Sequence, residues 1–208
     1  MEEVLDVYQR PYDPRFPVVC MDETSKQLSS DTHPPLLPLP GQPAREDYEY
    51  ERNGTCNLFM AFEPLQSWRQ VEVTAHRTAV DWAHFMRRLA DERYPEAERI
   101  VVVLDNLNTH AASSFYEAFA PEEAHRLAQR FEFHYTPKHG SWLNMAEIEL
   151  SCLSRTCLKQ RLPDPPALTC AVAAWQHERN ATQVTVDWRF TTEDARIKLK
   201  KLYPSIAV

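Results

Sequence analysis

Asp105 lies at a position where its carboxylate could bind a ligand or take part in a reaction. It directly follows the apolar run 100–104, in which four of the five residues are β-branched. Such a run suits a strand buried on both faces of a sheet. Open α/β sheets bind their ligands at the carboxyl ends of such strands. A turn or a helix cap explains Asp105 equally well, so a site at Asp105 depends on whether other carboxylates converge there.

A second apolar run, at residues 17–21, is followed by Asp22 and repeats this arrangement. Two strands that each end in a carboxylate make a shared acidic site worth considering, although acids at strand ends are also common in solvated turns. Glu23 follows directly, and consecutive side chains of an extended segment point to opposite faces. We therefore expect Glu23 to be structural rather than a ligand.

Glu147 lies near the start of a predicted long helix that begins at Trp142. Apolar residues recur at helical spacing between positions 146 and 157, and Glu147 lies on the polar face. The pattern Asn144-x-x-Glu147 also matches a capping box, in which the glutamate only satisfies backbone donors. Taken alone, Glu147 is better explained as a capping residue than as a ligand.

The remaining patterns predict a sheet with helices around it. Alternating or apolar runs predict further strands at 46–52, 55–62, 69–73 and 131–135, with Asn53-Gly54 as a hairpin turn between the first two. Helical spacing predicts helices at 79–92, 111–119, 121–130, 167–178 and 195–202. Five prolines between His33 and Pro43 predict an irregular loop. We therefore expect an α/β fold whose mixed central sheet joins an antiparallel meander to parallel strands and is flanked by helices.

The composition narrows the class of protein. A hydrophobic content of 43% with only three glycines excludes a disordered or collagen-like chain. No apolar run approaches the roughly 18 residues of a membrane span, and the acidic N-terminus is no secretory signal. Five scattered cysteines without a CxxC pair fit reduced thiols in the cytoplasm. The net charge of −7 argues against nucleic acid as a partner, because phosphate binding depends on clustered Lys and Arg.

The order of these elements resembles the RNase H-like fold, and three local motifs narrow the resemblance to the DDE transposases. The motifs are Met-Asp-Glu-Thr at 21–24, Leu-Asp-Asn-Leu-Asn-Thr-His at 104–110 and Ser-Trp-Leu-Asn-Met-Ala-Glu at 141–147. The nearest group is the bacterial insertion-sequence branch of the mariner superfamily. The Pro-rich segment with Asn53-Gly54-Thr55 and the residues 188–196 also resemble that branch, so the resemblance covers nearly the whole chain.

This resemblance implies that Asp22, Asp105 and Glu147 are the catalytic triad and hold Mg²⁺ or Mn²⁺, with two ions expected. Phosphodiester cleavage needs an activated water or hydroxyl and a stabilised leaving oxygen, and two cations about 4 Å apart serve both. Such hard cations keep several waters, so a few carboxylates suffice to hold them.

Further residues are expected to support this site or to contact DNA: Asn106, His110, Lys138, His139 and Asn144. Asn106 and His110 could orient a metal-bound water or a DNA phosphate, although capping or packing explains His110 equally well. Lys138 and His139 lie in the loop before the Glu147 helix and could contact the strand being cut.

Together these observations predict the catalytic domain of a bacterial insertion-sequence transposase, which cleaves DNA at the element ends and transfers the strands. Residues 17–162 would form this domain, 1–16 a linker or remnant helix, and 163–208 a helical extension packed on the same domain. Transposases of this type carry a helix-turn-helix DNA-binding region. We expect either that this region is encoded on a separate chain or reading frame, or that the present chain is a trimmed remnant that has lost it. Either case explains the acidic net charge, because the basic DNA contacts would belong to the missing region.

The expected partners are DNA and a second copy of the chain. Two alternatives remain at this point. One is a non-catalytic remnant that binds DNA or a partner protein, and the other is an RNase H-like nuclease acting on RNA–DNA hybrids.

Overall fold

A computed structural model describes residues 1–33, 48–186 and 188–203, which fold around one five-stranded sheet. Its strands are β1 (Val18–Asp31), β2 (Tyr50–Glu63), β3 (Trp68–Thr74), β4 (Ile100–Leu104) and β5 (Phe131–Tyr135). The strands lie in the order β3-β2-β1-β4-β5. The first three are antiparallel, and β4 is parallel to both of its neighbours. The mixed sheet expected from the sequence is therefore confirmed.

In the described part of the chain, seven α-helices surround the sheet: α1 (Glu2–Tyr8), α2 (Ala79–Arg88), α3 (Ser113–Ala118), α4 (Pro121–Arg130), α5 (Met145–Thr156), α6 (Pro165–Ala181) and α7 (Thr192–Lys198). A π-helical turn, Leu89–Arg93, extends α2, and 3-10 turns occur at Pro64–Gln66, Ser141–Leu143 and Lys200–Leu202. The predicted helices are present, but α5 begins at Met145 because a 3-10 turn occupies the preceding residues. None of the helices in the described ranges has the length and apolar character needed to cross a membrane.

Alternating side chains along β4 enter two different cores. Ile100, Val102 and Leu104 pack with residues of α2, α3 and α4 on one face. Val101 and Val103 pack on the other face with residues of α1, α5 and α7. All five residues of β4 are fully buried, which confirms the prediction of a strand covered on both faces.

The first helix is anchored to the sheet and to the turn before α5. Val4, Leu5 and Val7 are at most 1% exposed and belong to the second core. The hydroxyl of Tyr8 donates a hydrogen bond to the carbonyl of Leu143 at 2.6 Å. Residues 2–8 therefore help to place the start of α5.

The outer edge of β3 is covered by polar side chains of α6. The N–H of Val71 donates to Oε1 of Gln176 at 2.6 Å. The amide of Asn180 accepts from the N–H of Arg69 at 3.0 Å and donates to its carbonyl at 2.8 Å. These two amides satisfy backbone groups that an exposed edge strand would leave unpaired.

Two predictions about the first strands are wrong. The first strand does not end at Asp22 but continues to Asp31, and Asn53-Gly54 lies inside β2 instead of forming a hairpin turn. Ser29 pairs with Arg52 and Gln27 with Thr55, so Asn53 and Gly54 together face one residue of β1. Gly54 has a φ of 96°, which suits a β-bulge. The long pairing of the two strands overrides the local turn signal. The part of the expected Pro-rich loop that follows His33 lies outside the described residues.

Candidate active site

Asp22 and Asp105 are brought side by side by the register of β1 and β4. Cys20 pairs with Val103 in this parallel pair. Two residues further along, β1 carries Asp22 and the chain after β4 carries Asp105. Because β4 ends at Leu104 while β1 continues, Asp105 leaves the sheet beside a carboxylate that is still held in a strand.

Glu147 lies in the first turn of α5 and lines a cleft of about 280 Å³ together with Asp22. The N-cap of this helix is Asn144, whose side chain accepts a hydrogen bond from the N–H of Ala146 at 3.1 Å. The backbone N–H of Asn144 donates to the carbonyl of Ser141 at 2.7 Å. The donor that a capping box would direct to Glu147 is therefore already used, and the exposed carboxylate of Glu147 faces the cleft instead.

Asp22 is only 9% exposed, and this burial raises the pKa of its carboxyl to about 7. The hydrogen bond from the N–H of Glu23, at 2.8 Å, acts in the opposite direction. The negative charges of Glu23, Asp105 and Glu147 raise the pKa further. Asp22 therefore lies in the field of three other acids, and the combined negative charge around it favours a bound cation.

Asn144 connects the helix of Glu147 to the strand of Asp22. Its Nδ2 donates to the carbonyl of Met21 at 2.9 Å and lies 3.4 Å from Oδ2 of Asp22. The residue is 1% exposed. Asn144 thus joins the start of α5 to β1.

His110 is enclosed between two carboxylates. Its Nδ1 lies 2.6 Å from Oδ1 of Asp105, and its Nε2 lies 2.9 Å from Oε2 of Glu23. Burial would lower the pKa of His110, but contacts with Asp105 and Glu23 raise it to about 9. At 1% exposure the ring is enclosed by the protein.

The contact of Glu23 with His110 was missed by reasoning from the sequence. The prediction that Glu23 points away from Asp22 agrees with this contact, because Glu23 reaches His110 on the side of α2, where the ring stacks on Trp82. The available signal was a histidine five residues after Asp105 together with a glutamate directly after Asp22. Only the fold shows that the two meet.

Asp105 lines a second cleft, of about 410 Å³. Asn106, Lys138 and His139 are exposed and line it. The remaining lining residues are Leu107, Thr136, Pro137 and Ser141. Three of the predicted supporting residues thus share a cleft with Asp105, and two of them carry basic side chains.

The turn that presents Lys138 and His139 is tight. His139 has a left-handed φ of 63°. The N–H of Gly140 donates to the carbonyl of Pro137 at 2.8 Å. A Cβ on Gly140 would lie 2.6 Å from Cγ of Pro137, so only glycine fits there.

The acidic residues have the donor chemistry of a site for Mg²⁺ or Mn²⁺. Across residues 1–33, 48–186 and 188–203, no three His, Cys, Asp or Glu side chains are close enough together to hold a metal ion jointly. Mg²⁺, however, is commonly held by one or two carboxylates and keeps several waters. Asp22 and Asp105 provide such a pair by their register, and Glu147 shares the cleft of Asp22.

Comparison with known families identifies the class of protein. Residues 17–169, well over half of the chain, match the family described as DDE superfamily endonuclease. The chain belongs to this family. None of the curated proteins with which the sequence was compared is a significant match.

Solved structures of a transposase share the fold. The Mos1 transposase paired-end complex with left transposon end has 18% identity and a TM-score of 0.59, over 88% of this chain and 55% of that chain. The Mos1 mariner paired end complex with Mn has 18% identity and a TM-score of 0.57, with the same coverage. The Mos1 Strand Transfer Complex has 17% identity and a TM-score of 0.59, over 88% and 54%. The RNase H-like fold is thus confirmed, and the chain spans about half the length of the proteins it matches.

Proposed function

We propose that this chain is the catalytic part of a bacterial insertion-sequence transposase, which cuts DNA at the ends of its element and transfers the strands. The observation that carries the proposal is the placement of Asp22, in β1, beside Asp105, which directly follows the neighbouring strand β4, with Glu147 on a helix that Asn144 holds against β1. Membership of the DDE endonuclease family supports the chemistry. The likeness to Mos1 supports the fold on which it takes place.

In this proposal Asp22, Asp105 and Glu147 hold Mg²⁺ or Mn²⁺, with two ions expected. When bound, the cations make an attacking water or hydroxyl more acidic and neutralise charge on the leaving 3′-oxygen. The carboxylates place that chemistry at the carboxyl edge of β4. Their like charges repel in the absence of a cation, which gives the site its affinity for one.

The cleft beside Asp105 is proposed to take the DNA strand that is cut. Lys138 and His139 line it, where the ammonium of Lys138 can neutralise a phosphate and the imidazole of His139 can donate a hydrogen bond to it. The exposed amide of Asn106 can donate a hydrogen bond to the same group. This assigns direct DNA contact to these three residues, while the buried His110 and Asn144 act through the carboxylates.

The proposed partners are DNA, a separate helix-turn-helix segment and a second copy of the chain. A net charge of −7 supports the assignment of end recognition to another segment, because specific DNA binding needs clustered cations. Five free cysteines support a reducing compartment, the bacterial cytoplasm.

We also propose that 17–162 is the catalytic domain and that 163–208 packs on it as an extension. For 1–16 we propose a remnant helix packed on the same sheet, because Val4, Leu5 and Val7 are buried in its second core.

A cleavage assay tests the proposed function. The substrate is a plasmid carrying the genomic DNA that flanks the coding sequence, incubated with the chain and Mg²⁺ or Mn²⁺. We expect cuts at defined ends, and expect Asp22→Asn, Asp105→Asn and Glu147→Gln to abolish them. Glu122→Gln, a change at an exposed acid of α4, is the matched control. Equal cleavage by wild type and Asp105→Asn would refute the assignment, and preferential cleavage of an RNA–DNA hybrid would favour the nuclease alternative.

A further inference from the structure

We propose that Glu23 and His110 are positioning residues, which together fix the orientation of the Asp105 carboxylate. The inference rests on the proposed role of Asp105 as a metal ligand. It assigns a function to two buried side chains that are not part of the proposed triad.

The ring of His110 lies between two acids: Nδ1 is hydrogen-bonded to Asp105, and Nε2 lies within ion-pair distance of Glu23. Nδ1 contacts Oδ1 of Asp105 at 2.6 Å, and Nε2 contacts Oε2 of Glu23 at 2.9 Å. The ring also stacks on Trp82, with centroids 5.8 Å apart. The hydroxyl of Tyr135 donates to the backbone carbonyl of His110 at 2.9 Å, which holds the loop that carries the ring.

Asp105 needs such support because it is no longer part of a strand. It is the first residue after β4, in an irregular loop, and its side chain is 33% exposed. With Oδ1 held by His110, Oδ2 is the oxygen left to a ligand. Side chains that orient metal ligands in this way commonly change metal affinity by about 10- to 100-fold when they are removed.

Glu23 supplies the fixed end of this arrangement. It lies in β1, on the face opposite to Asp22, and its side chain is 5% exposed. Its other oxygen lies 3.8 Å from Nη1 of Arg77, whose side chain is 56% exposed. Two consecutive residues of one strand thus serve the site from two sides, Asp22 as a proposed ligand and Glu23 through His110.

Titration of the full chain with Mn²⁺, followed by calorimetry, tests the proposal with a readout other than activity. We expect Glu23→Gln and His110→Gln to weaken Mn²⁺ binding by about 10- to 100-fold. Glu23→Asp retains the charge and should recover part of the affinity. The matched control is Glu132→Gln, which changes another carboxylate in contact with a buried histidine, His134, at 2.7 Å. This control should bind Mn²⁺ as the wild type does.

The inference would be overturned if Glu23→Gln and His110→Gln both bound Mn²⁺ with an affinity within about twofold of wild type. Removal of a positioning residue should lower the affinity by more than that. If a variant does not fold, Glu23→Asp and His110→Asn are used in its place. If the wild-type chain binds no Mn²⁺, the metal site of the proposed function fails, and crystal structures decide the inference. A Glu23→Gln structure in which Asp105 keeps its wild-type contact with His110 would then contradict it.

Discussion

Nδ2 of Asn144 lies 2.9 Å from the carbonyl oxygen of Met21, the residue directly before Asp22. One amide therefore caps the helix that carries Glu147 and also bonds the strand that carries Asp22. This buried amide thus helps to set the distance between the two acids. A mutation of Asn144 should therefore affect stability and activity together.

Asn144→Ala should lower the free energy of unfolding by about 1–3 kcal/mol, because it removes a helix cap and leaves the Met21 carbonyl without its partner. It should also reduce the rate of DNA cleavage, since α5 is no longer held against β1. Urea denaturation and the cleavage assay measure the two effects. Asp164→Ala removes the N-cap of α6, which packs on β3, and should reduce stability alone. Equal cleavage rates for both variants would contradict the positioning role of Asn144.

The buried ion cluster of Glu149 should be important for stability. Oε2 of Glu149 lies 3.1 Å from Nε of Arg69, which is fully buried, and Oε1 accepts from Arg179 at 2.7 Å. Glu149→Ala would leave the charge of Arg69 unpaired in the interior, at a cost of about 3–5 kcal/mol. Urea denaturation measures this loss.

Arg126→Ala is the comparison for the Glu149 variant, because Arg126 pairs with Asp91 and Glu123 at the surface. Its effect should be about 1 kcal/mol or less. If Glu149→Ala lowers the free energy of unfolding by no more than Arg126→Ala does, the buried cluster contributes no more to stability than a surface ion pair.

Gly140→Ala should disturb the turn that presents Lys138 and His139. The added methyl group would meet the side chain of Pro137 at 2.6 Å and its carbonyl at 2.9 Å. We expect a loss of about 1–3 kcal/mol in the free energy of unfolding and weaker binding of DNA by the cleft. Thermal melting and a gel-shift assay measure these effects. Ser141→Ala, at the neighbouring exposed position, should leave stability unchanged, and a stable Gly140→Ala variant would refute the prediction.

Glu63 should make stability depend on pH. Burial raises the pKa of Glu63, despite the hydrogen bonds from Tyr94 and Arg93. A pKa raised by folding gives stability that is present below the ordinary value of 4.5 and is lost as the pH rises through the raised value. Glu63→Gln should therefore raise the free energy of unfolding at neutral pH and flatten its fall above pH 4.5. Denaturation at a series of pH values measures this, and the exposed Glu122→Gln is the control. A lower stability for Glu63→Gln at neutral pH would contradict it.

Local patterns were sufficient to predict elements whose own residue types are distinctive. The β-branched run before Asp105 predicted β4, and helical spacing predicted α2. Residue types indicate that β4 is a buried strand, although its pairing with β1 and β5 stabilises it. The position of Asp105 at a sheet edge followed from the same pattern.

The features that were missed depend on contacts between distant parts of the chain. Asn53-Gly54 forms a bulge because β1 and β2 pair over their whole length, which a turn signal cannot report. The contact of Glu23 with His110 joins residues from two separate elements. The capping explanation for Glu147 failed because the N–H of Asn144 is bonded to Ser141, a detail of backbone geometry that residue types do not reveal.

The amides of Gln176 and Asn180 that cover β3 have a consequence for how copies of this chain can meet. Because the backbone groups of Arg69 and Val71 are already bonded to α6, a second molecule cannot extend the sheet by adding a strand there. This protects the chain against edge-to-edge aggregation. Both amides lie beyond residue 169, where the match to the endonuclease family ends. A fragment cut at that boundary would keep the acidic residues but expose a strand edge that can recruit other chains.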